Sequence, residues 1–438
     1  MTHERKRRRL NDDLPHVVSD EQCCSIEEFI TTSKEKMGTL LRLADVSIRF
    51  QNLTENEDLV GRDEMVLLSL MKRKLRGKNC ESSVWTYGSA SMGQLGHGDT
   101  SKRVIPEPMT TLPNKYFLSA AAGWGHTVLV DKSGLVYSCG FNNYGQLGLG
   151  HQKFTPTPCV IESLQEYKIT KVSVNSSCHT IAIEDTGRVF VWGCNQFGQL
   201  GLGQRGHRLS PSEITCLRDR NIKDIYAGGG ANEGYCFVVD SNQKMYSWGK
   251  NSRGQLGLGE TNKQMDEPTL VATSFKPLKL ALGASHVVAI TSNDEVCSWG
   301  ANDEGALGME SFSQLGQCDF PREIVSLRGK HILSCFIFLE NGDIYAWGKS
   351  PTQDNWNVPH LLPGIGGVTL IGAGFSHCIA YTKDGKLYGW GNGTHGQLGN
   401  GTLKNRDAPD EAIFKEKGVV VVCGGGHHSV VLTNPFCK

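Results

Sequence analysis

No segment of the 438-residue chain comes near the roughly 18 uninterrupted apolar residues that a membrane-crossing helix needs. The basic start, MTHERKRRRL, has no apolar run behind it either, so neither a membrane span nor a secretory leader is expected. Net charge is missing too: 45 Lys+Arg stand against 45 Asp+Glu, which leaves no long-range field for nucleic acid or an anionic bilayer. The 15 cysteines are odd in number and show no C-x-x-C pairing, and a chain this long can bury a core without staples. Reduced thiols, no structural zinc and an intracellular protein are the expectation. There is no G-x-x-x-x-G-K-[ST], no H-E-x-x-H and no G-x-S-x-G. Gly201-Leu-Gly203-Gln-Arg-Gly206 has dinucleotide-loop spacing, but it is one copy of a repeated turn and no helix start follows it. No catalytic residue, cofactor, metal or small-molecule substrate is expected.

Glycine is scarce in one part of the chain and abundant in the rest. Residues 1–80 hold Gly38, Gly61 and Gly77, whereas the other 49 of the 52 glycines follow. A domain boundary is therefore placed near 80. Before it, Ser25-Ile-Glu-Glu28 has capping-box spacing, and Ile26, Phe29, Ile30, Met37, Leu40 and Leu41 follow at helical period. A second amphipathic run from about Glu57 carries Val66, Leu67, Leu70, Met71 and Leu75. Residues 1–24 read as a basic, unstructured tail, 25–80 as a helical extension and 81–438 as the main domain.

That main domain repeats itself, which overrides element-by-element reading. An aromatic-glycine pair followed by Gly-Gln-Leu-Gly recurs with its first glycine at Gly88, Gly140, Gly193, Gly249, Gly300, Gly348 and Gly391, with Cys139 in place of the aromatic in the second copy and Ala306 in place of the glutamine in the fifth. The sixth copy, after Trp347-Gly348, has lost the second half. Thirteen residues before Cys139, Trp192, Trp299 and Trp390 stand His126, His179, His286 and His377, each closing a short Gly- or Ser-rich turn. Between the two anchors lie apolar runs split by turns such as Asp131-Lys-Ser-Gly134, the pattern of a hairpin. A period near fifty residues suits a propeller blade of about four strands. The first unit lacks the histidine strand, and the chain finishes with Gly425-Gly-His-His428-Ser-Val-Val-Leu-Thr433, which lacks a Trp-Gly strand after it. The two half-units complement each other. Pairing of the C-terminal and N-terminal strands would close a ring without exposed edges.

Trp-Gly, Gly-Gln-Leu-Gly and Gly-x-x-His in seven registered copies resemble the regulator of chromosome condensation family. The resemblance implies an all-β fold, a seven-bladed β-propeller, here with a short α-helical N-terminal extension. It also implies a non-catalytic protein-binding module: a guanine-nucleotide exchange factor or other regulator of a small GTPase, or alternatively a scaffold or adaptor without exchange activity, such as the client-binding module of a ubiquitin ligase. The family's Ran exchange factor carries acidic residues in several of these turns and a β-wedge in the third repeat. Here the five histidine turns hold no aspartate and the third repeat, from Gly193 to Gly201, has ordinary length, so exchange on Ran itself is not expected.

Partner contact is assigned to Trp124, His126, His179, His286, His377 and His428 in the turns, and to Trp356 and Asn357 in the irregular sixth repeat. The bland reading of the histidines is a hydrogen-bonded scaffold, because sites repeated once per unit usually serve the fold. The tryptophans at 85, 192, 248, 299, 347 and 390 read as packing between blades. Arg5, Lys6, Arg7, Arg8 and Arg9 read as a nuclear import signal or a phosphate-binding arm. Residues 1–80 carry 15 basic against 14 acidic side chains, so chromatin contact through this tail would be weak and salt-sensitive. The expected partner is a protein client, foremost a small GTPase, with the nucleus as first compartment and the cytoplasm as second.

Overall fold

The computed structural model describes residues 82–434, apart from 113–114, 231–232, 260, 262, 294, 303–304, 309–315, 319–323, 330–334, 340–341 and 349–355. For the strands Gly316–Cys318, Ile324–Gly329 and Cys335–Leu339, and at Trp356, only the backbone is described. The tail and helical extension expected over 1–80, and with them Arg5 to Arg9, lie outside the described residues.

The second strand of each unit shows why the chain folds as it does. His126–Asp131, His179–Glu184, His286–Thr291, His377–Thr382 and His428–Thr433 are rich in Val, Ile and Thr, and every residue in them is buried. Burial without alternation means that both faces of the strand are covered, so each sheet must lie between two others. Each fully covered Val, Ile or Leu contributes about 1.5–3 kcal/mol relative to exposure.

The described residues form an all-β propeller of seven four-stranded antiparallel sheets with no α-helix, and two short 3-10 turns at Glu162–Leu164 and Thr215–Arg220. In chain order the first sheet runs from Phe117 to Val160, the second from Ile169 to Glu213 and the third from Ile222 to Val271. The fourth spans Pro277 to Cys318, the fifth Ile324 to Leu361 and the sixth Val368 to Glu411. The seventh is built from both ends of the repeat array, in the order Arg103–Pro108, Ser83–Gly88, His428–Thr433, Val419–Gly424. Ser83 pairs with Thr433 and Gly88 with His428.

Successive first strands touch one another in sequence, and the last, Val419–Gly424, touches the first, Phe117–Ala122. They surround a cavity of about 440 Å³ whose polar lining includes the ion pair of Lys171 with Asp224. The outermost strands are partly exposed and carry proline, for example Pro106, Pro156, Pro211 and Pro409. A residue without an N–H cannot complete an open strand edge, which discourages pairing with another chain.

The tryptophan expectation holds with one shift. Trp192, Trp248 and Trp347 are wholly buried, and Trp299 and Trp390 nearly so. Trp85 is half-buried, because in the first unit Tyr87 precedes the glycine and takes the interior place. Trp85 instead meets Phe414 edge to face, with centroids 5.5 Å apart.

Candidate docking face

Three features of the regular units converge on one end of each sheet. The histidine that opens the second strand pairs with the glycine that ends the third, as His126 with Gly140, His179 with Gly193 and His377 with Gly391. The start of the outer strand pairs with that same glycine, as Thr155 with Gly140, Arg208 with Gly193 and Arg406 with Gly391. Histidine turn, Gly-Gln-Leu-Gly loop and outer-strand start therefore share one face of the propeller. The glycine is obligatory there: Gly140 has φ of 110°, and a Cβ would stand 2.4 Å from the Gly125 carbonyl oxygen.

The histidines face inward. His126, His179, His286, His377 and His428 are at most 8% exposed, which leaves them no surface with which to meet a partner. They join neighbouring sheets instead. His428 Nε2 lies 3.0 Å from Thr127 Oγ1 of the next sheet, and that hydroxyl donates to Gln94 O at 2.8 Å. His377 reaches Ser429 Oγ at 2.9 Å, and Ser429 donates to Gln397 O. His126 and Thr180 repeat the pattern onto Gln146 O, and His179 meets Cys236 Sγ at 3.0 Å. Because each hydroxyl spends its single proton on the glutamine carbonyl, the imidazole must donate from Nε2, which sets its tautomer. The same glutamine carbonyls accept the next sheet's indole N–H, from Trp192 to Gln146 and from Trp248 to Gln199, both at 2.9 Å. In the third sheet Tyr235 stands in place of histidine and donates to His286 O at 2.7 Å.

A pH dependence follows. Burial lowers the His179 pKa from 6.5 to about 3. Below pH 6.5 the unfolded chain takes up a proton that the folded chain refuses, so this contribution is intact above 6.5 and is lost as pH falls toward 3. The loss approaches about 1.4 kcal/mol per pH unit. Urea midpoints for His179→Gln should fall less steeply than those of the parent over this window; parallel curves would refute the linkage.

Outside this clasp the same turns carry aromatic rings. Trp124 packs edge to face on Phe141 at 5.5 Å, Phe141 on Tyr144 at 6.2 Å, and Tyr144 on His207 of the second sheet at 5.1 Å. On the other side of the seventh sheet, Phe375 meets His427 at 6.0 Å, and His427 stacks on His395 at 4.5 Å. Backbone bonds link the two groups: Phe375 N–H donates to Gly425 O and Gly426 N–H to Gly123 O, each at 2.8 Å. All seven rings are half-buried. Burial, and then the nearby His395, lower the His427 pKa below its usual value.

Of the residues assigned to partner contact, Trp124 thus stands on this face and the five histidines lie beneath it. Trp356 opens the fifth sheet's outer strand opposite Gly348, and Asn357 is exposed. Asn357 also fills the usual packing position against Gly305 of the preceding loop, so the irregular repeat keeps the regular contact between sheets. Phe141, Tyr144, His207, Phe375, His395 and His427 escaped the sequence reading. Their signal was positional: Phe141 directly follows the repeated glycine, and Tyr144 and His395 directly precede Gly-Gln-Leu-Gly.

Comparison with known proteins agrees with the propeller fold. The chain is 29% identical to the human E3 ubiquitin-protein ligase HERC2 over 94% of its own length, but that stretch is 9% of HERC2. It is 28% identical to the Arabidopsis thaliana ultraviolet-B receptor UVR8, covering 74% of this chain and 76% of that protein. In fold it is similar to yeast RCC1 (Prp20) in complex with Kap60, with a TM-score of 0.72 and 21% identity over 81% of this chain and 89% of that one. Two single repeats of the regulator of chromosome condensation match at 368–397 and 384–432. Since residues 79–354, more than half of the sequence, match the RCC1-like domain, the chain belongs to the RCC1-like family.

Proposed function

We propose that this chain is a non-catalytic, seven-bladed protein-binding propeller, with a basic tail over 1–24 and a helical extension over 25–80, whose client docks on the histidine-turn face. The observation that carries this reading is the half-buried aromatic arc. The position of Trp124 and Phe375 is filled elsewhere in the ring by Ser177 and Ala284, so the fold does not require large rings there. Aromatic side chains held at a surface and only partly covered are what protein hot spots are made of.

Of the two client roles, the adaptor is favoured over the exchange factor. The strand Val189–Gly193 leads directly to Arg208–Glu213, with no wedge between them, and Glu233, an acid in the third sheet's turn, is tied to Lys250 at 3.0 Å. Relatives in which a similar propeller is one part of a ubiquitin ligase also support an adaptor. Regulation of a small GTPase is the second reading, supported by membership of the family. Replacing Trp124 and Phe141 together with Ala should leave the melting temperature nearly unchanged and remove a defined set of proteins captured on the immobilised chain. An identical captured set would refute docking on this face, whereas accelerated release of fluorescent GDP from any GTPase in a panel would favour the second reading.

The tail is assigned to nuclear import, with weak phosphate contact as a secondary use. Changing Arg5, Lys6, Arg7, Arg8 and Arg9 to Ala should move the protein to the cytoplasm without altering its stability. An unaltered distribution by fluorescence microscopy would end that assignment.

A further inference from the structure

The docking reading leaves the chemistry of the client open, and the charges around the aromatic arc narrow it. In five consecutive sheets a cation sits at or just before the start of the outer strand: Lys404 in the sixth, Lys102 in the seventh, Lys153 in the first, Arg208 in the second and Lys263 in the third. The first four of these, Lys404, Lys102, Lys153 and Arg208, lie in the sheets that carry the arc. The three lysines are exposed and Arg208 half-buried, and none of the four has an acidic partner among the described residues. Their neighbours differ: Arg103 is held by Asp99 and Glu107, Arg205 by Asp266 and Arg406 by Asp410. Among the described acids at this end of the four sheets, Asp99 is engaged by Arg103, and Asp407, beside Arg406, is exposed with no cation paired to it among the described residues. The sector therefore presents an apolar centre rimmed by more free positive than free negative charge, on a chain whose total charge is zero.

We infer that the client offers this face an acidic segment carrying an aromatic or large apolar side chain. That side chain packs among Trp124, Phe141 and Phe375, and its flanking carboxylates meet Lys102, Lys153, Arg208 and Lys404. Complementary rim charge steers encounter and selects the partner, while the desolvated centre supplies most of the affinity. Single-stranded nucleic acid also combines aromatic and cationic contacts, but it needs ring faces free for successive bases. Here the rings of Trp124, Phe141, Tyr144 and His207 lean on one another at interplanar angles of 70° to 77°, so each covers part of the next. The free cations stand one per sheet around the rim and form no continuous track.

The test uses the full-length chain and a phage-displayed library of short random peptides, followed by fluorescence polarisation with the synthetic winners and with labelled oligodeoxythymidine. The expected winners are acidic, contain an aromatic or large apolar residue and weaken as salt is raised. They lose about threefold in affinity for each of Lys102→Glu, Lys153→Glu, Arg208→Glu and Lys404→Glu, and bind poorly to Trp124→Ala. All five variants are at or near the surface, and thermal melting checks that they remain folded. Neutral or basic winners that still require Trp124 would overturn the acidic segment and leave the docking face standing. Winners indifferent to Trp124 and to the cations, or no winners at all, would overturn both. Oligodeoxythymidine binding as tight as the best peptide would replace the acidic client with nucleic acid.

Discussion

Removing the sixteen residues after Val422 should abolish the cooperative fold. The deletion takes away the strand His428–Thr433, which pairs with Ser83–Gly88 on one side and Val419–Gly424 on the other. It removes the wholly buried Val430, Val431 and Leu432, worth about 1.5–3 kcal/mol each. It also removes the His428 bond to Thr127 and the Cys423 Sγ contact with Ala120 O at 3.1 Å. What remains is an open ring in which Ser83–Gly88 has lost its inner neighbour. Since a folded domain is stable by only about 5–15 kcal/mol, losses of this size are comparable to the whole. Calorimetry of the shortened chain should show no cooperative transition, and the exposed strand should promote aggregation. A transition within a few degrees of that of the intact chain would contradict closure by the terminal strands.

The second large effect is expected at Trp192. Its indole is wholly buried, donates to Gln146 O at 2.9 Å and packs against Gly148, where an added Cβ would lie 3.0 Å from Nε1. Trp192→Ala should cost about 3–5 kcal/mol, because the sheets on either side cannot close the void. Trp85→Ala should cost much less, since that ring is half-buried at the rim against Phe414. The comparison separates an interior role from a merely repeated residue type. Equal urea midpoints for the two variants, or a loss under about 1 kcal/mol at Trp192, would show that the indoles do not hold neighbouring sheets together.

Much of the fold was legible before any coordinate because the information is local and recurs. Asp131-Lys-Ser-Gly134 turns one hairpin, and equivalent turns recur along the chain. Asn142 and its counterparts Asn195 and Asn251 each accept the N–H of the loop leucine at 3.0 Å. Such contacts span a few residues, so their spacing is visible in one unit and confirmed by the others. The site was less legible. His126 and Trp124 share one four-residue turn, and nothing in that turn says which points inward. The answer lies with Thr180, the hydroxyl that receives the imidazole, which is 54 residues away in the next sheet. Trp85 misled for a related reason: it belongs to the repeated motif by type, while Tyr87 occupies the interior position by register.

By itself the sequence determined the period, the hairpins, the glycine turns and the complementary half-units at its ends, since backbone conformation at Gly140 or the run Val430-Val431-Leu432 depends on the residues themselves. Only the tertiary structure decided which parts of each turn face a neighbour and which face solvent. It alone placed the histidines beneath the face, brought Trp124, Phe141, Tyr144 and His207 into one arc, and left Lys102, Lys153, Arg208 and Lys404 without counter-charges among the described residues. Those outcomes depend on distances between units about fifty residues apart, and a side chain's burial or charge pairing is set by what packs against it.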